Sequence, residues 1–204
     1  MIMISETHIH LDGEEFAEDI DEVVARAKEA GVVRMLLPAI DEKTTDAVVA
    51  VAKRFNGYAF PMIGLHPEEV RDDWREVLDR LRPRVDDTFV AIGEVGLDFY
   101  WSREFEHEQI EAFREQVEWA IDTKRPLMIH CRKAQNEMVH LLRQYQKELP
   151  GGVFHCFTGN QKEAEELLSF ENFVLGIGGV STFKSSHLRE DLPAAVPMNR
   201  IILE

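Results

Sequence analysis

The sequence predicts an α/β protein, a single (β/α)8 TIM barrel, and three observations carry the prediction. Eight short β-rich runs recur along the 204 residues, amphipathic stretches separate them, and histidines gather at the carboxyl ends of several runs. Regular alternation of strand and helix requires a parallel sheet with right-handed crossovers. Eight units favour closure into a barrel, and no Gly-x-Gly-x-x-Gly follows the first run to support an open dinucleotide-binding sheet.

The runs expected as strands are 2–8, 33–38, 58–64, 89–94, 127–130, 153–155, 173–176 and 200–203. Between the first two, Phe16, Ile20, Val23, Val24 and Ala27 recur at helical spacing, and Gly31 supplies a stop. Val48, Val49, Val51 and Ala52 repeat the pattern before Gly57. Phe105, Ile110, Phe113, Val117 and Ile121 mark the longest helix. Met138, Leu141, Leu142 and Tyr145 mark another, closed by Pro150-Gly151-Gly152, and shorter helices are expected over 161–170 and 186–195. Seven helices would thus follow seven strands, and the eighth strand reaches Glu204 with no helix after it. The expectation is one domain over 1–204, C-terminally incomplete and lacking the closing helix of such a barrel.

Composition narrows the function. An apolar fraction of 45% and a charged fraction of 30% are those of a globular protein, and no apolar run spans a bilayer. The amino terminus has no basic n-region, and Cys131 and Cys156 fit neither a disulfide framework nor a zinc knuckle, so the expected setting is a reducing cytoplasm. A net charge of −15 argues against coating long duplex nucleic acid, which needs a basic stripe. A phosphate-bearing substrate would have to be drawn by bound cations and a few arginines.

The histidines sit where a barrel does its chemistry. His8 and His10 follow the first run, His66 the third, and His130 and His155 end the fifth and sixth. The carboxyl ends of the strands form the catalytic face of this fold. Two residues apart on a strand, His8 and His10 point to one side, and neutral imidazole is a common ligand for borderline metals. Glu94 closes an apolar run, where a carboxylate is costly to bury unpartnered and a metal would stabilise it. The pairing of Glu94 with a rim arginine is the blander reading. Asp98 could orient a ligand or cap the next loop, Arg132 could grip a phosphate by its planar fork or form a rim ion pair, and His66 would lie over the mouth. The strand period turns Cys131 and Cys156 away from the histidines, and His107, His140 and His187 receive no role.

Taken in order, His8-Ile9-His10-Leu11-Asp12, Gly64-Leu65-His66-Pro67, Gly93-Glu94-Val95-Gly96-Leu97-Asp98, Ile129-His130-Cys131-Arg132, His155-Cys156-Phe157-Thr158-Gly159 and Gly178-Gly179-Val180-Ser181-Thr182-Phe183-Lys184 resemble the TatD-related deoxyribonucleases over essentially the whole chain. The resemblance implies a TIM-barrel hydrolase with two divalent metal ions (Mg, Mn or Zn). His8 and His10 would hold one, His130 and His155 the other, and Glu94 would bridge them. It implies a phosphodiester hydrolase of the TatD type, 3′-end-directed on DNA, in which a two-metal-activated water attacks phosphorus, with His66 and Arg132 touching substrate.

The chain departs from that pattern where Ile201-Ile202-Leu203-Glu204 stops before a customary Thr-Asp, and where Glu6 stands in place of an aspartate. The missing aspartate would ligate metal and take a proton. The expectation is a shortened form of a longer enzyme; the other readings are Glu204 standing in for the aspartate, or a metal-binding remnant without turnover. An amidohydrolase acting on C–N or ester bonds is the second enzymatic reading. It often bridges its metals with a carbamylated lysine, whereas Glu94 holds that place here and Lys124 lies at a helix end. The expected partners are DNA ends or short single-stranded DNA, with no membrane and no obligate protein partner.

Overall fold

The computed structural model describes residues 3–204. Its elements alternate to the end: β1 (Ile4–Glu6), α1 (Ile20–Glu29), β2 (Val32–Leu37), α2 (Glu42–Arg54), β3 (Ala59–Pro61), α3 (Trp74–Leu81), β4 (Ile92–Asp98), α4 (Glu106–Thr123), β5 (Leu127–Arg132), α5 (Gln135–Gln144), β6 (Gly152–Phe154), α6 (Gln161–Leu168), β7 (Phe173–Ile177), α7 (Leu188–Ala195) and β8 (Ile201–Leu203). Every strand pair is parallel, and the strands run in chain order as two ladders, β1-β2-β3 and β4 through β8. The two ladders are joined where Ile63 bridges Ile92, with Val90 N–H donating to the Pro61 carbonyl (3.0 Å) and Gly93 N–H to that of Ile63 (2.8 Å). On the other side the Thr7 hydroxyl donates to the Leu203 carbonyl at 2.9 Å, so the last strand meets the segment that follows the first. Sequential parallel order with a helix in each crossover is the (β/α)8 arrangement the periodicity predicted.

Local chemistry explains the helix boundaries. Asp41 accepts from the Thr44 N–H while Thr44 Oγ1 accepts from the Asp41 N–H, and Asn160 and Glu163 make the same reciprocal cap on α6. α1 ends at Ala30, followed by Gly31 at φ 95°. The apolar stripe of α4 buries Phe113, Val117 and Ala120 against the β4–β8 sheet.

The core has three parts. The largest lies between β4–β8 and helices α3 to α7, and a second packs α1, α2 and the segment after β1 onto β2 and β3. The third is small: Met62, Ala91 and Met128 are buried together, with Leu36 and Val153 against them. These residues come from five successive strand segments, so they meet inside the ring. Met128 precedes His130 by two residues and Val153 precedes His155 by two, which puts both imidazoles on the inner side, one layer above this apolar floor.

All eight strands differ from their expected spans at one end or both, mostly by one or two residues; the third, expected over 58–64, is Ala59–Pro61. The fourth strand, expected over 89–94, runs Ile92–Asp98, so Glu94 lies inside it rather than at its end. The apolar run closes at Glu94, yet β4 goes on pairing with β5, from Val95 opposite Ile129 to Asp98 opposite Arg132. A Cβ on Gly96 would fall 1.9 Å from the His130 carbonyl oxygen, so only glycine permits this approach. The first strand, expected over 2–8, is Ile4–Glu6; residue 2 lies outside the described residues, and Thr7 and His8 have left the ladder.

Candidate metal centre

Glu94 is the hub. It is 3% exposed, and five imidazoles surround its carboxylate: His8 Nε2 at 3.2 Å, His10 Nε2 at 3.8 Å, His66 Nε2 at 3.5 Å, His130 Nδ1 at 3.0 Å and His155 Nε2 at 3.9 Å. The sequence placed these six residues on five separate motifs, and the barrel brings them to one point at the carboxyl ends of its strands. Burial opposes the charge on Glu94, but hydrogen bonds with His130, His66 and His8 outweigh it and hold the carboxyl well below its usual range. No arginine is paired with Glu94 among the described residues, which removes the blander reading of its burial.

Each imidazole has its own setting. His8 stacks on His155, with centroids 3.6 Å apart, and its Nε2 is 3.2 Å from that of His10. Burial and the neighbouring His8 lower the His10 pKa. Two nitrogens 3.2 Å apart beside one carboxylate oxygen cannot both carry protons comfortably; a cation shared between them relieves the repulsion. His66 differs. Its Nδ1 accepts the Glu68 N–H at 3.1 Å, so in the neutral ring the proton sits on Nε2, which faces Glu94. That tautomer presents a donor, the wrong form for ligation and the right one for hydrogen bonding to an anionic oxygen.

His130 lies between two carboxylates, with Nδ1 toward Glu94 and Nε2 2.7 Å from Asp98 Oδ2. Burial works against its charge, but hydrogen bonds with Asp98 and Glu94 raise its pKa to about 9. Asp98 is itself fixed, its N–H donating to Gln109 Oε1 and its Oδ1 accepting the Tyr100 N–H, both at 2.9 Å. At His155, Glu204 Oε2 lies 2.9 Å from Nδ1, although off the hydrogen-bonding direction, and accepts the Cys156 N–H at 2.9 Å. Gly176 makes room for Glu204: a Cβ there would stand 1.9 Å from Glu204 Oε1. His8 Nδ1, His155 Nδ1, Asp12 Oδ1 and Glu204 Oε1 are buried and unpartnered. Unpaired donors and acceptors around a buried carboxylate are what a cation and its surrounding waters would satisfy.

Two triplets bring ligand atoms within 4.8 Å of one another: His8, Glu94 and His155, and His66, Glu94 and His130. The first triplet therefore fits a divalent ion chemically, whereas in the second His66 would have to give up its Nε2 proton to ligate. Arg132, at the end of β5, is exposed, and its guanidinium lies 3.7 Å from the centroid of the Tyr100 ring. Cys131 packs toward the outer core, and burial pushes its thiol pKa up to about 12. His107, His140 and His187 are exposed and distant in sequence from the cluster. A larger depression, about 690 Å³, lies by the end of α5 and the start of β7, at the opposite rim and away from the histidines.

Sequence reasoning missed the glutamines. Gln109 and Gln116 sit seven residues apart on the inner face of α4 and are 6% and 1% exposed. Gln116 accepts the Leu65 N–H (2.7 Å) and donates to the Leu65 carbonyl (3.2 Å), which fixes the segment bearing His66. Polar residues at the core positions of an otherwise apolar helical stripe were the available signal.

The description TatD related DNase belongs to a family model that matches residues 6–204. The chain belongs to the TatD-related DNase family. TatD relatives include the uncharacterized metal-dependent hydrolase YabD of Bacillus subtilis, 32% identical over 99% of this chain and 79% of that protein. The 3′-5′ ssDNA/RNA exonuclease TatD of Erwinia billingiae is 33% identical over 96% of this chain and 76% of its own length. Among solved structures, the TatD homologue YjjV of Escherichia coli superposes with a TM-score of 0.87 at 28% identity, over 98% of this chain and 78% of that one. Membership in the TatD family makes the chain a hydrolase on a TIM-barrel frame. No helix among the described residues is long and apolar enough to cross a membrane.

Proposed function

We propose that this chain is a metal-dependent phosphodiester hydrolase that trims single-stranded DNA from the 3′ end. The observation that carries the reading is the buried, ionised Glu94 inside a ring of five histidines at the catalytic rim of the barrel. The exonuclease named among the relatives supports the substrate class. Free Cys131 and Cys156 suit a reducing, cytoplasmic setting.

Two divalent ions, of Mg, Mn or Zn, would be held by His8, His10 and His155 on one side and His130 on the other, with Glu94 between them; His155 departs here from the pairing with His130 that the resemblance implied, because its ligand atom groups with those of His8 and Glu94. When bound, such ions acidify water and neutralise charge on phosphate oxygens. The chain's own groups do the rest. Glu94 stays ionised and gathers the imidazoles. Asp98 sets the orientation of the His130 ring, and Glu204, held by the Cys156 N–H, stands beside His155. His66, with its proton on Nε2, offers a donor to a non-bridging oxygen, and Arg132 offers a fork to a neighbouring phosphate. Lys124 ends α4 in a left-handed conformation, exposed at the rim opposite the histidines, so the lysine of the amidohydrolase reading has no route to the site.

Direction of attack is tested with single strands labelled at either end. A 3′ label should appear first as mononucleotide, while a 5′ label should remain on a shortening ladder. Mononucleotide released first from the 5′ label, or hydrolysis of lactones and amides in place of phosphodiesters, would overturn the proposal.

A further inference from the structure

Tyr100 and Trp101 interrupt a polar loop between β4 and α4, and they stay exposed, at 47% and 71%. Two adjacent aromatic rings left in water beside a catalytic rim need a reason. Their rings meet edge to face, with centroids 4.7 Å apart at 83°, so the edge of one meets the face of the other and the exposed indole keeps a ring face open. The Arg132 guanidinium lies 3.7 Å from the Tyr100 centroid and 5.4 Å from that of Trp101. Among the described residues, neither Arg132 nor the adjacent exposed Lys133 forms an ion pair, whereas Arg103 nearby is neutralised by Glu106 and Glu137. In a chain of net charge −15, two cations without an ion-pair partner among the described residues, beside two exposed aromatic rings, are a local exception.

Tyr100, Arg132 and Lys133 help to line a cavity of about 610 Å³ with His155, Phe157 and Thr158, and Trp101 lines a separate depression of about 350 Å³ with Arg71 and Asp98. The patch is also tied to the histidine cluster. The Tyr100 N–H is bound to Asp98 Oδ1, and Asp98 Oδ2 contacts His130, so the platform and the metal-ligating ring share one carboxylate.

We propose that Tyr100 and Trp101 form a stacking platform for an unpaired base of a single-stranded nucleic acid, with Arg132 and Lys133 holding its phosphates. The proposal rests on the phosphodiesterase reading and adds how the substrate is held. Stacking needs an unpaired base with both faces free, which a duplex does not offer, and it tolerates any base because every base has a π face. Cations set beside aromatic rings are the combination that such strands require.

The test is binding of a short phosphorothioate oligonucleotide, which resists cleavage, to the full chain with magnesium, with affinity read by calorimetry for parent and variants and stacking read in the parent by tryptophan fluorescence. Trp74 and Trp119 are buried, so the exposed Trp101 dominates any quenching. An abasic strand of equal length and charge is the comparison. The base-bearing strand should quench, and the abasic strand should not. Trp101→Ala should weaken the base-bearing strand about 5- to 150-fold and the abasic strand by less than about 2-fold, with Trp101→Phe recovering part of the loss. Equal affinity of Trp101→Ala and the parent for the base-bearing strand, or equal losses for both strands, would overturn the platform. A parent that shows the quenching yet cleaves no natural phosphodiester would sink the nuclease reading alone. Cleavage with an unaltered Trp101→Ala affinity would sink the platform alone.

Discussion

Asp98 Oδ2 lies 2.7 Å from His130 Nε2, and Asp98 is 3% exposed. The carboxylate stands on the far side of the imidazole from Glu94, so it orients the ring without reaching the hub. A carboxylate behind a metal-ligating histidine fixes its tautomer and raises its basicity.

Asp98→Asn should therefore weaken metal binding about 10- to 100-fold while preserving the shape of the site. Calorimetric titration with manganese reads this directly. An unchanged dissociation constant would reduce Asp98 to a cap on the loop that begins at Tyr100.

Gln116→Leu should leave the N–H and carbonyl of Leu65 buried without partners, at a cost of about 1–3 kcal/mol for each such group. Urea unfolding should show a combined loss of about 2–6 kcal/mol. Because Leu65 precedes His66, the substrate KM should rise as well. Loss of stability with an unaltered KM would mean that the His66 segment holds its place without Gln116.

Burial raises the Cys131 pKa to about 12 and also raises that of Cys156. A raised thiol pKa means that the protonated, unreactive form prevails at pH 8, and thiolate appears only as the pH climbs toward the shifted value. Iodoacetamide at pH 8 should label both cysteines far more slowly in the folded chain than in urea. Labelling of the folded chain at the urea rate would contradict that burial.

Much of the site was legible because strand periodicity is rigid. His130 and His155 end apolar runs, and a period of two fixes which side they face once Met128 and Val153 are taken as interior. The extent of β4 was not legible, since the apolar run closes at Glu94 while the close approach of the His130 carbonyl to Gly96 is a tertiary fact. The tautomer of His66 was equally hidden. It depends on one backbone N–H at Glu68, whose direction only the folded turn determines. Phe99, Tyr100 and Trp101 are readable as an aromatic run, but which of them stays exposed, and the nearness of Tyr100 and Trp101 to Arg132, follow from the fold and the pairing of β4 with β5.

The central claim is that the Glu94 cluster is a metal-dependent phosphodiesterase centre. Its most direct test is hydrolysis of a labelled single-stranded oligonucleotide by the chain and by Glu94→Gln, each with magnesium or manganese and with EDTA. The account predicts shortening by the parent that EDTA abolishes, and a loss of at least about 100-fold in Glu94→Gln, whose neutral amide cannot hold the cations together. Shortening that survives EDTA, or that Glu94→Gln performs at the parental rate, would contradict it.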